Sequence, residues 1–243
     1  MKKKDDLFEG KKKVGDFRFD SNTAIVFDDM VKRSVPFYTE IQRMIGEIAR
    51  EFYIPGSNIY DLGCSTGTTL INVANSLDGP AKFVGCDNSR PMLKKAKTKV
   101  NNSKFACAHT FEYQMVDLNE NFKLKNASVV IMCLTMQFVR PIHRGRLAEI
   151  ISESLLPKGA FIIVEKVVCS SSIFNRMFID FYLSFKKRKG YSDLEIAQKR
   201  EALENILIPY RLEENIKLFR NAGFQNIEIF FKWYNWVGLL AIK

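Results

Sequence analysis

The stretch NIYDLGCSTGT (58–68) runs from an apolar strand through a glycine-rich turn toward a helix. NIYDLG (58–63) reads as the strand. Leu70, Val73, Ala74 and Leu77 then recur at helical spacing. Gly63 allows a tight turn, and the small Ser65 and Gly67 let a ligand approach the backbone. The helix N-terminus beyond them offers unpaired N–H groups. Such a turn is weak evidence alone, but two acids accompany it. Asp61 lies in the strand, and Asp87 ends a second strand, KFVGCD (82–87). An acid at that second position suits the two hydroxyls of a ribose. The plainer alternative is a glycine-rich turn flanked by two surface acids.

The alternation continues in both directions. Upstream, Ile41, Met44, Ile45, Ile48 and Phe52 mark a helix, with Ser34 as candidate cap and Pro36 in its first turn. Downstream, Ser89 and Pro91 open a helix, FEYQMVDL (111–118) reads as a third strand, and SVVIMCLTMQFV (128–139) as a strand buried on both faces. A helix carrying Leu147, Ile150, Ile151 and Leu155 closes at Pro157-Lys158-Gly159, before a fifth strand at 159–168. Strands alternating with helices predict parallel βαβ units in a doubly wound sheet. Two further helical patterns interrupt the alternation at about 170–210. The tail, NIEIFFKWYNWVGLLAIK (226–243), predicts an antiparallel pair turning near Tyr234 and Asn235. Residues 1–20 read as a loose basic leader that orders around Phe17 and Phe19, and 21–243 as one domain with a helical insertion.

Composition excludes several classes. The 243 residues are 47% hydrophobic and 26% charged, which is ordinary for a globular protein. The longest apolar run, 129–134, is far too short to cross a membrane. Five cysteines without a CxxC pair fit free thiols in a reducing cytoplasm. Two isolated histidines, His109 and His143, give no basis for a zinc site. The net charge of +10 points to an anionic partner, or to a lysine-rich proteome.

The third glycine of a dinucleotide fingerprint is poorly matched. The D-x-G-x-S-x-G form instead resembles S-adenosylmethionine-dependent methyltransferases of class I, which implies a Rossmann-like, mostly parallel seven-stranded sheet with an antiparallel C-terminal hairpin. Further segments narrow the resemblance: GDFRFD (15–20), VFDDMVKRSVPFY (26–38), GCDNSRPM (85–92), LTMQFV (134–139), SDLEIAQKREALENIL (192–207) and GFQNIEIFFKWYNW (223–236). Together they look like the carboxy-S-adenosyl-L-methionine synthases, over nearly the whole chain from about Gly15.

That resemblance implies carboxylation of the S-adenosylmethionine methyl group. The carboxyl comes from prephenate, which leaves as phenylpyruvate, and the product serves wobble-uridine modification of tRNA by another enzyme. It implies a cytoplasmic homodimer, no metal, no membrane and no direct tRNA binding. The S-adenosylmethionine is expected against Tyr38, Gly63, Cys64, Ser65, Asp87, Asn88, Asp117 and Leu118. Arg200 corresponds to the arginine that holds the new carboxylate, a role its planar fork suits. Whether it reaches its own or a neighbouring subunit's pocket is open. Prephenate carries two carboxylates, so further basic residues are expected at the pocket, with Arg33 a candidate.

The chain departs from the family pattern at Cys133, where an asparagine is expected. The change removes an amide from a position at the end of the fourth strand, and Cys133 is expected to pack against the S-adenosylmethionine rather than act as a nucleophile. The aromatic stripe from Phe174 to Phe185 reads as a helix on the sheet edge, or as a dimer face or lid. KKRK (186–189) reads as a solvated helix end, with contact to RNA as the other reading. Two other functions stay open: a methyltransferase acting on RNA or a small acid, and a cofactor-binding protein without turnover.

Overall fold

The computed structural model describes residues 3–11 and 14–243. Lys2, Lys12 and Lys13 of the basic leader lie outside the described residues. Seven strands form one sheet: β1 (Asn58–Leu62), β2 (Lys82–Asp87), β3 (Thr110–Met115), β4 (Ala127–Cys133), β5 (Leu155–Lys166), β6 (Asn226–Trp233) and β7 (Trp236–Ile242). Their order is β3-β2-β1-β4-β5-β7-β6. Strands β1 to β5 pair in parallel, and β7 runs antiparallel between β5 and β6. This is the expected Rossmann-like sheet. Its order reverses between β1 and β4, and the carboxyl ends of the strands there form the natural binding crevice of such folds.

Period-two alternation divides the core. Ile59, Phe83, Val129, Ile131, Ile162 and Val164 face one side. They meet Ile41, Ile45 and Ala49 of α2 (Tyr38–Phe52) and Leu70, Val73 and Ala74 of α3 (Thr68–Ser76). Tyr60, Leu62, Val130, Met132, Phe161 and Ile163 face the other, against α5 (Pro141–Ser154) and Phe219 of α8 (Leu212–Asn221). Ile41 and Ile45 are wholly buried, and each such side chain contributes about 2 kcal/mol. These two layers fix β1, and with it the turn at 63–67.

Several expected boundaries move. Ser34 does not cap a helix start; it ends α1 (Ser21–Ser34), whose own cap is Asp20, accepting from the Thr23 N–H at 2.9 Å. Pro36 lies in the connection, where it keeps Val35 extended, and Phe37 takes a left-handed φ of 53° before α2 begins. The third strand stops at Met115, so 116–118 form a loop over the crevice. The fifth strand starts at Leu155 rather than 159. Its pairing with β4 shifts register between Ala127 and Val129, so Pro157-Lys158-Gly159 is a bulge, with Lys158 at φ 65°. Ser89 opens α4 (Arg90–Asn101), its Oγ accepting from the Met92 N–H at 3.3 Å.

The interruption after β5 holds α6 (Ser172–Arg188) and α7 (Asp193–Leu203). A capping box between Ser192 and Glu195 starts α7. The described leader residues have no helix or strand, yet they touch the body. Asp5 is buried, accepting from the Tyr191 hydroxyl at 2.5 Å and pairing with Lys199 at 3.5 Å. Gln198 donates to the carbonyls of Phe8 and Gly10.

Candidate active site

The turn after β1 is held by main chain. The Gly63 and Cys64 N–H groups donate to the Cys86 carbonyl at 2.7 and 2.9 Å, tying β1 to β2. Gly63 has φ 79°, and a Cβ there would lie 2.4 Å from the Thr135 side chain. Only glycine satisfies both conditions. Asp87 then locks the turn: Oδ2 accepts from the Ser65 N–H at 2.9 Å, and Oδ1 from the Ser89 N–H at 2.8 Å. Burial raises the Asp87 carboxyl, against these two N–H groups.

Asp61 is more unusual. It is 1% exposed, and neither carboxylate oxygen has a hydrogen-bond partner. Burial, with the charge of Asp87, pushes it up to about 8. It lies beneath the turn, close enough to Tyr38, Cys64 and Cys133 for its charge to help raise all three groups.

These elements open on a cavity of about 360 Å³. Gly63, Cys64 and Ser65 line it from the turn, and Asp87 and Asn88 from the end of β2. Asp117 and Leu118 follow β3, Cys133 ends β4, and Tyr38 starts α2; all four face the same cavity. Arg200 is not among the lining residues; it is exposed on α7. Arg33 is absent as well. Its guanidinium donates to the carbonyls of Lys189 and Gly190 at 2.9 Å each and lies 4.0 Å over the Tyr191 ring. It ties α1 to the turn between α6 and α7, so it is not a pocket residue here.

The basic residues that do face the cavity are Lys186 and Lys199. Both are 5% exposed. Lys186 therefore corrects the reading of 186–189 as a solvated helix end: Lys187 is exposed and pairs with Asp193 at 2.6 Å, but its neighbour turns inward. Tyr182 lies one helical turn before Lys186, but Tyr191 reaches it only through the turn between α6 and α7, which sequence spacing does not show. Tyr182, Trp236 and Phe19 complete the aromatic wall. A glutamate beyond β4 was also missed. Glu165 accepts from the Thr135, Met136 and Gln137 N–H groups at 2.9–3.1 Å, anchoring the short 3-10 turn Met136–Phe138 under the cavity floor. Burial pushes its carboxyl up to about 8 despite those bonds. Among the described residues no cluster of three potential metal ligands occurs.

A cavity with this turn and these acids invites comparison with known proteins. Residues 59–159 match the methyltransferase domain family. The carboxy-S-adenosyl-L-methionine synthase of Methylococcus capsulatus is 52% identical over 232 residues, 95% of each chain. The chain belongs to the carboxy-S-adenosyl-L-methionine synthase family. The enzyme of that name from Sulfurimonas denitrificans is 44% identical, covering 93% of this chain and 94% of its own. Among solved structures, human N-acetylserotonin methyltransferase aligns with a TM-score of 0.60 at 14% identity, covering 92% of this chain and 55% of its own. That likeness is one of fold.

Cys133 stands where the family resemblance leads one to expect an asparagine. Its Sγ accepts from Gln42 Nε2 at 3.4 Å, and burial followed by the charges of Asp61 and Glu165 drives its thiol far up. A thiol so disfavoured as thiolate packs rather than attacks.

Proposed function

We propose that the protein converts S-adenosylmethionine and prephenate into carboxy-S-adenosylmethionine and phenylpyruvate. The observation that carries this is the cavity itself: a buried carboxyl without hydrogen-bond partners beneath the turn at one end, and a lysine-bearing aromatic wall at the other. Asp61 answers the positive charge of a sulfonium amino acid, and its missing partners are what such a ligand supplies. Asp87 and Asp117 suit the ribose and adenine, and the apolar lining suits the base. The sulfonium acidifies its methyl group, so that carbon can form a bond to a carboxyl group. The balance closes: prephenate yields phenylpyruvate and carbon dioxide as its ring hydroxyl leaves as hydroxide, the carbon dioxide joins the methyl carbon, and the proton that carbon gives up turns the hydroxide into water.

The new carboxylate needs a fixed cation, and Arg200 is the family's choice. Its exposed position, outside its own subunit's cavity, supports service to a neighbouring subunit. An aromatic face supports the same homodimer. Ile173, Phe174 and Phe181 of α6 and Tyr234 of the β6–β7 turn are exposed, and each is a large apolar group. The reading places the enzyme in the cytoplasm, with its product passed to a tRNA-modifying enzyme. No described helix is long and apolar enough to cross a membrane.

The test is incubation with S-adenosylmethionine, with and without prephenate, followed by mass spectrometry. A prephenate-dependent gain of one carboxyl group on the sulfonium nucleoside is expected. Methyl transfer to RNA without prephenate would overturn the reading.

A further inference from the structure

Helix α6 has seventeen residues, and the only buried one is a lysine. Apolar Ile173 and Phe174 stay exposed while Lys186 is taken inside. That inversion is expensive, because a buried ammonium loses its hydration. Among the described residues Lys186 makes no ion pair and no hydrogen bond through its ammonium. Its neighbours are the rings of Tyr191 at 5.3 Å and Tyr182 at 5.9 Å. The charges that reach it are mostly positive: Lys199 and Lys166 push its pKa down after burial, while Asp5 and Glu195 act more weakly against them.

The local anions are already engaged. Asp5 is paired with Lys199 and accepts from Tyr191. Asp29 is paired with Arg33. Glu195 is turned to the Ser192 N–H. Lys199 also donates to Ser34 Oγ at 3.1 Å. One cation on the cavity wall is thus left uncompensated, beside the ring of Tyr182, which packs on Trp236 in the same wall. This wall is built for an anion attached to an unsaturated ring.

Resting on the function proposed above, we infer that Lys186, backed by Lys199, anchors the pyruvyl carboxylate of the second substrate, with its ring against Tyr182 and Trp236. The choice between the two carboxylates follows from chemistry. The ring carboxylate must leave as carbon dioxide, and a cation held on it would stabilise the charge it has to lose. The pyruvyl carboxylate is retained throughout, so pairing it costs the reaction nothing. Anchoring that end leaves the ring carboxylate free of the lysine and turned toward the sulfonium.

Two probes separate the ends. Phenylpyruvate carries the retained carboxylate, and benzoate carries only one attached to a ring. Phenylpyruvate is expected to bind the protein and to bind Lys186→Met about tenfold to a hundredfold more weakly, the loss of one charge-assisted contact. Benzoate is expected to bind weakly to both. S-adenosylmethionine affinity, measured by the same calorimetry, is expected to stay within about twofold. In the unmutated protein, reductive methylation of Lys186, followed by mass spectrometry, is expected to slow when phenylpyruvate is added. Equal phenylpyruvate binding by Lys186→Met, or a labelling rate indifferent to phenylpyruvate, would overturn the assignment. So would benzoate binding that depends on Lys186 as strongly as phenylpyruvate binding does. These readouts need no turnover. Failure of carboxylation in the unmutated protein would instead overturn the proposed reaction and leave the anion site to be judged by binding.

Discussion

Asp61→Asn should make the ligand-free protein more stable and its S-adenosylmethionine complex weaker. The folded carboxyl holds its proton up to about 8, against an ordinary value of 3.8. Between those values the unfolded chain binds fewer protons than the folded one, so stability falls as pH rises through the window. By pH 7 the loss is about 4 kcal/mol, at about 1.36 kcal/mol per pH unit. Asparagine escapes this loss but leaves amide N–H groups unpaired, which returns about 1–3 kcal/mol. The variant should therefore gain about 1–3 kcal/mol near neutrality, or about 3–10 °C in Tm for a chain of this length. The gain should shrink toward zero or reverse at pH 4.5, where only about 1 kcal/mol of that loss has accumulated. Thermal unfolding at several pH values reads the first effect. Calorimetry reads the second, expected as about tenfold weaker S-adenosylmethionine binding. A stability difference independent of pH, together with unchanged affinity, would refute the reasoning that Asp61 is an unpartnered carboxyl that ionises for a cationic ligand.

Gly63→Ala combines a positive φ with a Cβ 2.4 Å from Thr135, so a loss of about 2–4 kcal/mol is expected in denaturant melts, with the ligand site disordered. Arg200→Ala, on an exposed face, should change stability by less than about 0.5 kcal/mol and leave S-adenosylmethionine binding intact. It should suppress carboxylation strongly, as the family resemblance implies, and undiminished product by mass spectrometry would remove Arg200 from the reaction. Thiol alkylation at pH 8 should modify exposed Cys107 well before Cys133, whose thiol burial drives up. Peptide mapping that found Cys133 modified first would contradict its packing role.

The sequence by itself determined the sheet and the cavity's floor. Residues 58–68 and Asp87 are local signals: a buried strand, a turn needing glycine, and an acid at the next strand end. Their geometry follows from hydrogen bonds between adjacent parallel strands. Tyr38, Asn88, Asp117, Leu118 and Cys133 came from the family resemblance, and folding brings all five to the one cavity at the reversal of strand order. Helix α1 was not legible, because its polar and apolar residues mix without a strong stripe and Ser34 resembles a start signal as much as an end.

Only the tertiary structure decided the charges. Arg33 and Lys186 look alike in sequence, each a basic residue near the end of a helix. Folding sends Arg33 to three main-chain carbonyls and Lys186 to two tyrosine rings at the cavity. The unpaired state of Asp61 is equally invisible in sequence, since it depends on which donors fail to arrive. Strand and turn patterns are set by neighbours in the chain. The energy of a charge is set by everything packed around it, and that is known only once the chain has folded.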